Sequence, residues 1–187
     1  MIVDAMWRVV QREGFKAVSV RSVAAGAGLS KSTIAQYFGS QDQVLALAVQ
    51  QQIDAASSEL NALDVERCTP EVARKALQIA IPTTAKQRRQ SQVWLALLEQ
   101  HGSSPEVADA LATMNKSVRN GIRAVLANLA TNGHVGAGRD LDEEAAKLHA
   151  VVDGLSLQSL TDPKSAPPKL VTQVIAAVVA DLGRPAN

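Results

Sequence analysis

The stretch whose reading decides the fold runs from Ser19 to Phe38: SVRSVAAGAGLSKSTIAQYF. Ser19 offers its hydroxyl to the unpaired N–H groups of a helix beginning at Val20. Gly28 stops that helix after Ala27, because glycine takes the left-handed conformation a helix end favours. Ser30 caps a second helix over Lys31 to Phe38, which Gly39 stops. A glycine turn this short lets two helices cross at a wide angle, as in a helix-turn-helix. Val20, Val23, Leu29 and Ile34 are placed to fill the small core between them, with Ala24 and Ala25 at the close approach. The outer face of the second helix then carries Lys31, Ser32, Thr33, Gln36 and Tyr37, groups suited to phosphate oxygens and base edges. Its N-terminal end is the end such a motif places in the major groove, and it is the positive end of the helix dipole.

Outward from this stretch the apolar spacing stays helical, and no segment alternates with period two long enough to suggest a sheet. Toward the N-terminus, Ile2, Met6, Val9 and Val10 form one stripe of a helix from Ile2 to Arg12, ended by Gly14. Toward the C-terminus, Ser40 with Gln43 forms a capping box that opens a helix from Gln41 to about Leu60. Further helices are expected from Thr69-Pro70 to Ile81, from Thr84 to Gln100, and from Ser104 up to the Asn132-Gly133 stop. Another is capped by Asp142 and runs to Leu160, and the last ends at Leu182. The fold class is all-α, about nine helices. Residues 1–46 form a helix-turn-helix domain, and residues 47–187 form a bundle of longer helices.

Composition sets the bounds. The 187 residues are 47% hydrophobic and 20% charged, with a formal net charge of +1, the balance of a globular chain rather than a polybasic one. Any DNA binding must come from local arrangement. The single cysteine, Cys68, forms no internal disulfide, and with no secretory signal or apolar run of spanning length the expected location is the cytoplasm.

The run from Ile2 to about Val49 resembles the DNA-binding region of the TetR family of transcriptional regulators. The shared marks are Gly14-Phe15 after the first helix, the Ser19-capped helix with Arg21 and Ala24, and the AGLS turn at residues 27–30. Thr33, the Tyr37-Phe38 pair and the Phe-x-Ser-x-Asp-x-Val-Leu run from Phe38 complete the match. The resemblance implies a homodimer on double-stranded operator DNA, most often a repressor, released by a small-molecule effector bound in the C-terminal bundle. It makes Lys31, Ser32, Thr33 and Gln36 candidate groove contacts, and Arg21 and Tyr37 candidate backbone contacts. Two positions depart from the family pattern: Ala35 stands where a tyrosine is usual, and Gln41 where a lysine is usual. Residues 1–46 hold five basic residues (Arg8, Arg12, Lys16, Arg21, Lys31) against three acidic ones (Asp4, Glu13, Asp42). Modest affinity and a shallow salt dependence are therefore expected.

In the C-terminal part, Val151, Val152, Leu155, Leu157 and Leu160, then Leu170, Val171, Val174, Ile175, Val178 and Val179, put apolar residues on more than one face of the last two helices. Such helices need cover on both sides. A second subunit is the expected cover, with Val152, Leu155, Leu160, Val171, Ile175 and Val178 at the interface. The run from Val151 to Pro163, VVDGLSLQSLTDP, resembles a TetR subgroup that includes the choline-responsive betaine repressor, whose corresponding helices form a four-helix dimer bundle. A quaternary amine effector does not carry over, since an aromatic cage is the usual receptor and Trp94 is the only aromatic residue after residue 46. Gln78, Trp94, Leu98, Met114, Val118 and His149 are candidates to line a largely apolar effector pocket. Trp94 and Met114 serve equally well as core filler.

Nothing in the sequence assembles a catalytic set. His101, His134 and His149 lack metal-ligand spacing, and no phosphate loop or nucleophile elbow is present. Neither an enzyme, a cofactor nor a metal is expected. Lys86, Arg88 and Arg89 read as a solvated helix start. The alternative to a regulator is a ligand-binding dimer without operator binding, favoured by Ala35 and Gln41.

Overall fold

The structure is a computed structural model that describes residues 2–14, 17–30, 32–34, 40–99, 102 and 104–186, without the side chains of Val3, Gln11, Gln41 and Leu45. Among the described residues there is no strand, and eight helices of two turns or more are present. They are α1 (Ile2–Glu13), α2 (Val20–Ala27), α3 (Gln41–Asn61), α4 (Pro70–Gln78), α5 (Ala85–Glu99), α6 (Pro105–Thr131), α7 (Leu141–Thr161) and α8 (Pro168–Leu182). A helical turn at residues 32–34 represents the described part of the expected Lys31–Phe38 helix.

Two bounds differ from expectation. Helix α4 ends at Gln78, because Ile79 and Ile81 donate to carbonyls three residues back and tighten the chain ahead of Pro82. The cap of α7 is Asp140, not Asp142: its carboxylate accepts from the N–H groups of Asp142 and Glu143 at 2.8 and 3.1 Å. The earlier start puts Asp142, Glu143 and Glu144 in the first turn, where the helix dipole favours negative charge.

The chain divides into two compact units. One comprises residues 1–54 and 85–115. Its core is the α1 stripe of Ala5, Met6, Val9 and Val10 with Val23 of α2, Val44, Ala48 and Val49 of α3, Val93 and Leu97 of α5, and Val107 and Leu111 of α6. The Gln52 side-chain amide also donates to the Gln90 carbonyl, joining α3 to α5. The helix-turn-helix is thus seated on α5 and the first turns of α6, which the sequence assigned to the bundle.

The second unit comprises residues 55–84 and 116–187. Leu77 of α4, Ile122, Leu126 and Leu129 of α6, Leu148, Val152 and Leu155 of α7, and Val171, Ile175 and Val179 of α8 make its core. Its α6–α7 connection is tied to the chain's C-terminal end. The Arg139 side chain, 8% exposed, donates to Glu144 at 3.0 Å, to the Asp181 carboxylate at 2.9 Å and to the carbonyls of Asp181 and Arg184. The Asp181 carboxylate, above all, keeps its guanidinium protonated. The Gly136 N–H donates to Leu182 at 2.8 Å, and Ala186 donates back to Ala137 at 3.0 Å.

That crossing requires glycine. A Cβ at Gly136 would overlap the Arg184 carbonyl and lie 2.7 Å from the Pro185 nitrogen, both backbone atoms that cannot rotate away. At Gly121, inside α6, a Cβ would meet only the tip of Leu60 at 4.0 Å. Gly136→Ala is expected to destabilise the protein by about 1–3 kcal/mol. Gly121→Ala should stabilise it by about 0.5–1 kcal/mol, since alanine has less unfolded-state freedom to lose. Urea unfolding of the two variants checks both signs.

Candidate nucleic-acid interface

The described part of the helix-turn-helix is held by a set of local hydrogen bonds. The Ser19 hydroxyl accepts from the Ser22 N–H at 3.1 Å, while the Ser22 hydroxyl accepts from the Ser19 N–H at 2.9 Å and donates to the Ala17 carbonyl at 2.7 Å. This reciprocal pair fixes where α2 starts. At its other end Gly28 sits at φ 68°, ψ 27°, and Leu29 N–H donates to the Ala24 carbonyl at 3.0 Å. A Cβ-bearing residue is disfavoured at that φ. Arg8 of α1 adds a donor to the Gly26 carbonyl at 2.8 Å, a cation at the negative end of α2.

Beyond the turn, Ser30 organises the start of the next helical segment. Its hydroxyl accepts from the Thr33 N–H at 3.0 Å, and its carbonyl accepts from Ile34 at 3.1 Å. The same hydroxyl lies 2.7 Å from the hydroxyls of both Ser32 and Thr33. Ile34 is fully buried, as is Val23, so the turn is anchored from beneath. Val20 and Leu29 are half-buried. Of the two alanines expected at the close approach, Ala24 is buried and Ala25 is exposed. Gly26 also lies close to Ala5 of α1, where a Cβ would meet the Ala5 carbonyl at 3.5 Å.

Of the six candidate DNA contacts, Arg21 and Ser32 are exposed and Thr33 is half-buried. Lys31, Gln36 and Tyr37 lie outside the described residues, as do Ala35 and the Gln41 side chain. The sequence marks Ser30 only as a cap. The structure makes it the hub of a three-hydroxyl cluster, a role signalled by the S-x-S-T spacing. Ser30→Ala is expected to cost about 1 kcal/mol of stability, as loss of an N-cap does. It should also weaken DNA binding, while Ser30→Thr retains both; unfolding curves and gel shifts on the same preparations check the pair.

The six effector candidates are divided between the units. Trp94 and Met114 are half-buried against the core of the first unit, where Leu98 is 43% exposed. Gln78, Val118 and His149 belong to the second. Gln78 and Val118 are half-buried, Val118 against the core. His149 is buried, with its Nε2 lacking a hydrogen-bond partner.

The dimer candidates need revision at residue level. Val152, Leu155, Val171 and Ile175 are consumed by the core of their own unit, between 0% and 6% exposed, and present no surface to a second chain. Helical spacing reveals two apolar faces but not which of them turns inward. Leu160 and Val178 remain half-exposed. Leu157 and Leu170, absent from the expected interface, are exposed at 43% and 38%.

Among the described residues no group of histidine, cysteine and carboxylate side chains is arranged to hold a metal. Cys68 is fully buried, and burial pushes its thiol up, away from the reactive thiolate.

Comparison with known proteins gives this geometry its context. The family described as bacterial regulatory proteins of the tetR family matches residues 2–48, and the BetI-type transcriptional repressor C-terminal region matches residues 70–184. The chain is 31% identical over 165 residues to the HTH-type transcriptional regulator PksA of Bacillus subtilis (strain 168), covering 87% of this chain and 78% of that protein. It is 30% identical over 169 residues to the HTH-type transcriptional regulator BetI of Rhizobium meliloti (strain 1021), covering 89% and 78%. A transcriptional regulator from Saccharomonospora viridis, solved in complex with choline, shares the fold with a TM-score of 0.76 at 24% identity, covering 95% of this chain and 93% of that one. The helix-turn-helix unit at the N-terminus and the helical region after it therefore have one explanation: the chain belongs to the TetR family of transcriptional regulators, with a C-terminal region of the BetI type.

Proposed function

We propose that the chain binds operator DNA as a homodimer, represses from it, and is released by a small molecule bound in its C-terminal part. The observation that carries the DNA end is the Ser30 cluster: a capped, core-anchored helical turn that holds the exposed Ser32 hydroxyl beside Thr33. Donors held in place before binding lose little conformational entropy on meeting a phosphate or base edge. Lys31, Gln36 and Tyr37 complete the groove face in this reading, and Arg21 serves the phosphate backbone. Residues 1–46 act as the DNA-binding domain and residues 47–187 as the effector and dimerisation domain. In a dimer, two such turns about 34 Å apart would meet successive major grooves. An effector then releases DNA to the extent that it prefers the conformation with another spacing.

The dimer face we assign is the outer side of α7 and α8: Leu157, Leu160, Leu170, Val174 and Val178, all exposed or half-exposed in the single chain. The protein acts by binding, without catalysis, cofactor or metal, and its place of action is the cytoplasm. Among the described residues no helix is long and apolar enough to cross a membrane. A second reading, a ligand-binding dimer that no longer holds an operator, is favoured by Ala35, Gln41 and the small positive excess in residues 1–46.

Gel shifts on the DNA upstream of the protein's own gene separate the readings. A saturable shift is expected, and Arg21→Ala should reduce the slope of log K against log salt by about 0.9, the value for one lost phosphate contact. No shift there, and none from a random-sequence selection, would favour the second reading. For the assembly, Leu157→Glu with Leu170→Glu should give a helical monomer by light scattering. Val152→Glu, which buries an unpaired charge, should instead unfold the chain.

A further inference from the structure

We infer that His149 and Asp153 of α7 form the polar anchor of the effector site, and that the effector presents a protonated primary or secondary amine to them. This rests on the ligand-responsive reading above and names the chemistry it would use. His149 is 8% exposed, and its Nε2 has no hydrogen-bond partner. The nearest counter-group is Asp153 Oδ2 at 3.6 Å, one helical turn on and too far for a hydrogen bond. Further along the buried face, the Ser156 hydroxyl is spent on the Ala80 carbonyl at 3.2 Å, and the Ser159 hydroxyl, a turn farther from His149, has no partner. A buried imidazole nitrogen and an oxygen of a half-exposed carboxylate are thus held side by side.

An ammonium group with at least two N–H bonds meets that demand. One N–H goes to the carboxylate and the other to Nε2, with the positive charge beside Asp153. A quaternary ammonium has no N–H to give, a hydroxyl has one hydrogen and no charge, and a carboxylate is repelled. Residues 47–187 contain one aromatic side chain, Trp94, too few for the cage a quaternary ammonium usually needs. Burial raises the Asp153 carboxyl above its ordinary range, with His149 opposing. Asp153→Asn is therefore expected to keep the fold.

The test uses the full-length protein with phenethylamine, its N-methyl and N,N,N-trimethyl derivatives, and phenethyl alcohol, read by calorimetry and thermal shift. The primary and N-methyl amines should bind, and the trimethyl compound and the alcohol should not. Asp153→Asn should raise the amine Kd at least about tenfold, the factor that ~1.4 kcal/mol corresponds to. His149→Leu should weaken binding as well, while His149→Gln, which keeps an acceptor, restores most of it. The proposal is overturned if neither amine binds, if the trimethyl compound binds as tightly, or if Asp153→Asn binds the amine unchanged. Gel shifts with the same compounds are read separately. An amine that binds through Asp153 without displacing DNA would leave the site standing and sink the release mechanism.

Discussion

The reversal of the chain at Gly28 is the constraint on which the N-terminal unit depends. Helix α2 must stop, satisfy its last carbonyls and redirect the chain within three residues, so that Ser30 can open the next helical turn. The left-handed backbone at Gly28 allows Leu29 to reach back to the Ala24 carbonyl, and Arg8 supports the same helix end from α1. Val23 on one side of the turn and Ile34 on the other are both fully buried and anchor the two segments. Without that anchoring the hydroxyls gathered at Ser30 would be a flexible polar loop. With it they become a preorganised surface, and preorganisation is what converts a few short side chains into a binding element.

The second unit shows a different economy of polar groups. Arg139 is nearly buried yet has partners on several of its donors, two carboxylates and two backbone carbonyls, so its charge is accommodated rather than stranded. The connection it sits on also hydrogen-bonds to the end of α8 through Gly136. His149 lies in the same unit with the opposite character: equally buried, with a ring nitrogen left unpaired. Buried polar atoms without partners are uncommon in folded proteins, and each calls for a reason. Arg139 closes a structural crossing, whereas His149 faces only Asp153, 3.6 Å away on its own helix.

Much of the architecture was legible in the sequence because it is set by local rules. Caps at Ser19, Ser30, Ser40 and Thr69, and stops at Gly14, Gly28 and Gly133, act within four residues, and the helices obey them closely. Apolar spacing located the α1 stripe, with Met6, Val9 and Val10 all buried. Where the sequence misplaced the α7 cap, two aspartates stood within three residues of each other, and Asp140 serves through local bonds from the N–H groups of Asp142 and Glu143. Residues 85–115 joined the helix-turn-helix unit because α5 packs on α1.

The sequence by itself determined that this is an all-helical chain with a helix-turn-helix near its start, and which short polar side chains stand at its second helix. Those features arise from dihedral preferences and from hydrogen bonds between near neighbours. Only the tertiary structure decided which apolar residues of α7 and α8 are inside and which are left over. A helix that is apolar on two faces carries no local mark of its inward side, and the choice is made by what packs against it. The same holds for His149: its type and position were visible from the start, but an unpaired buried nitrogen beside Asp153 exists only once the surrounding helices have excluded water from it.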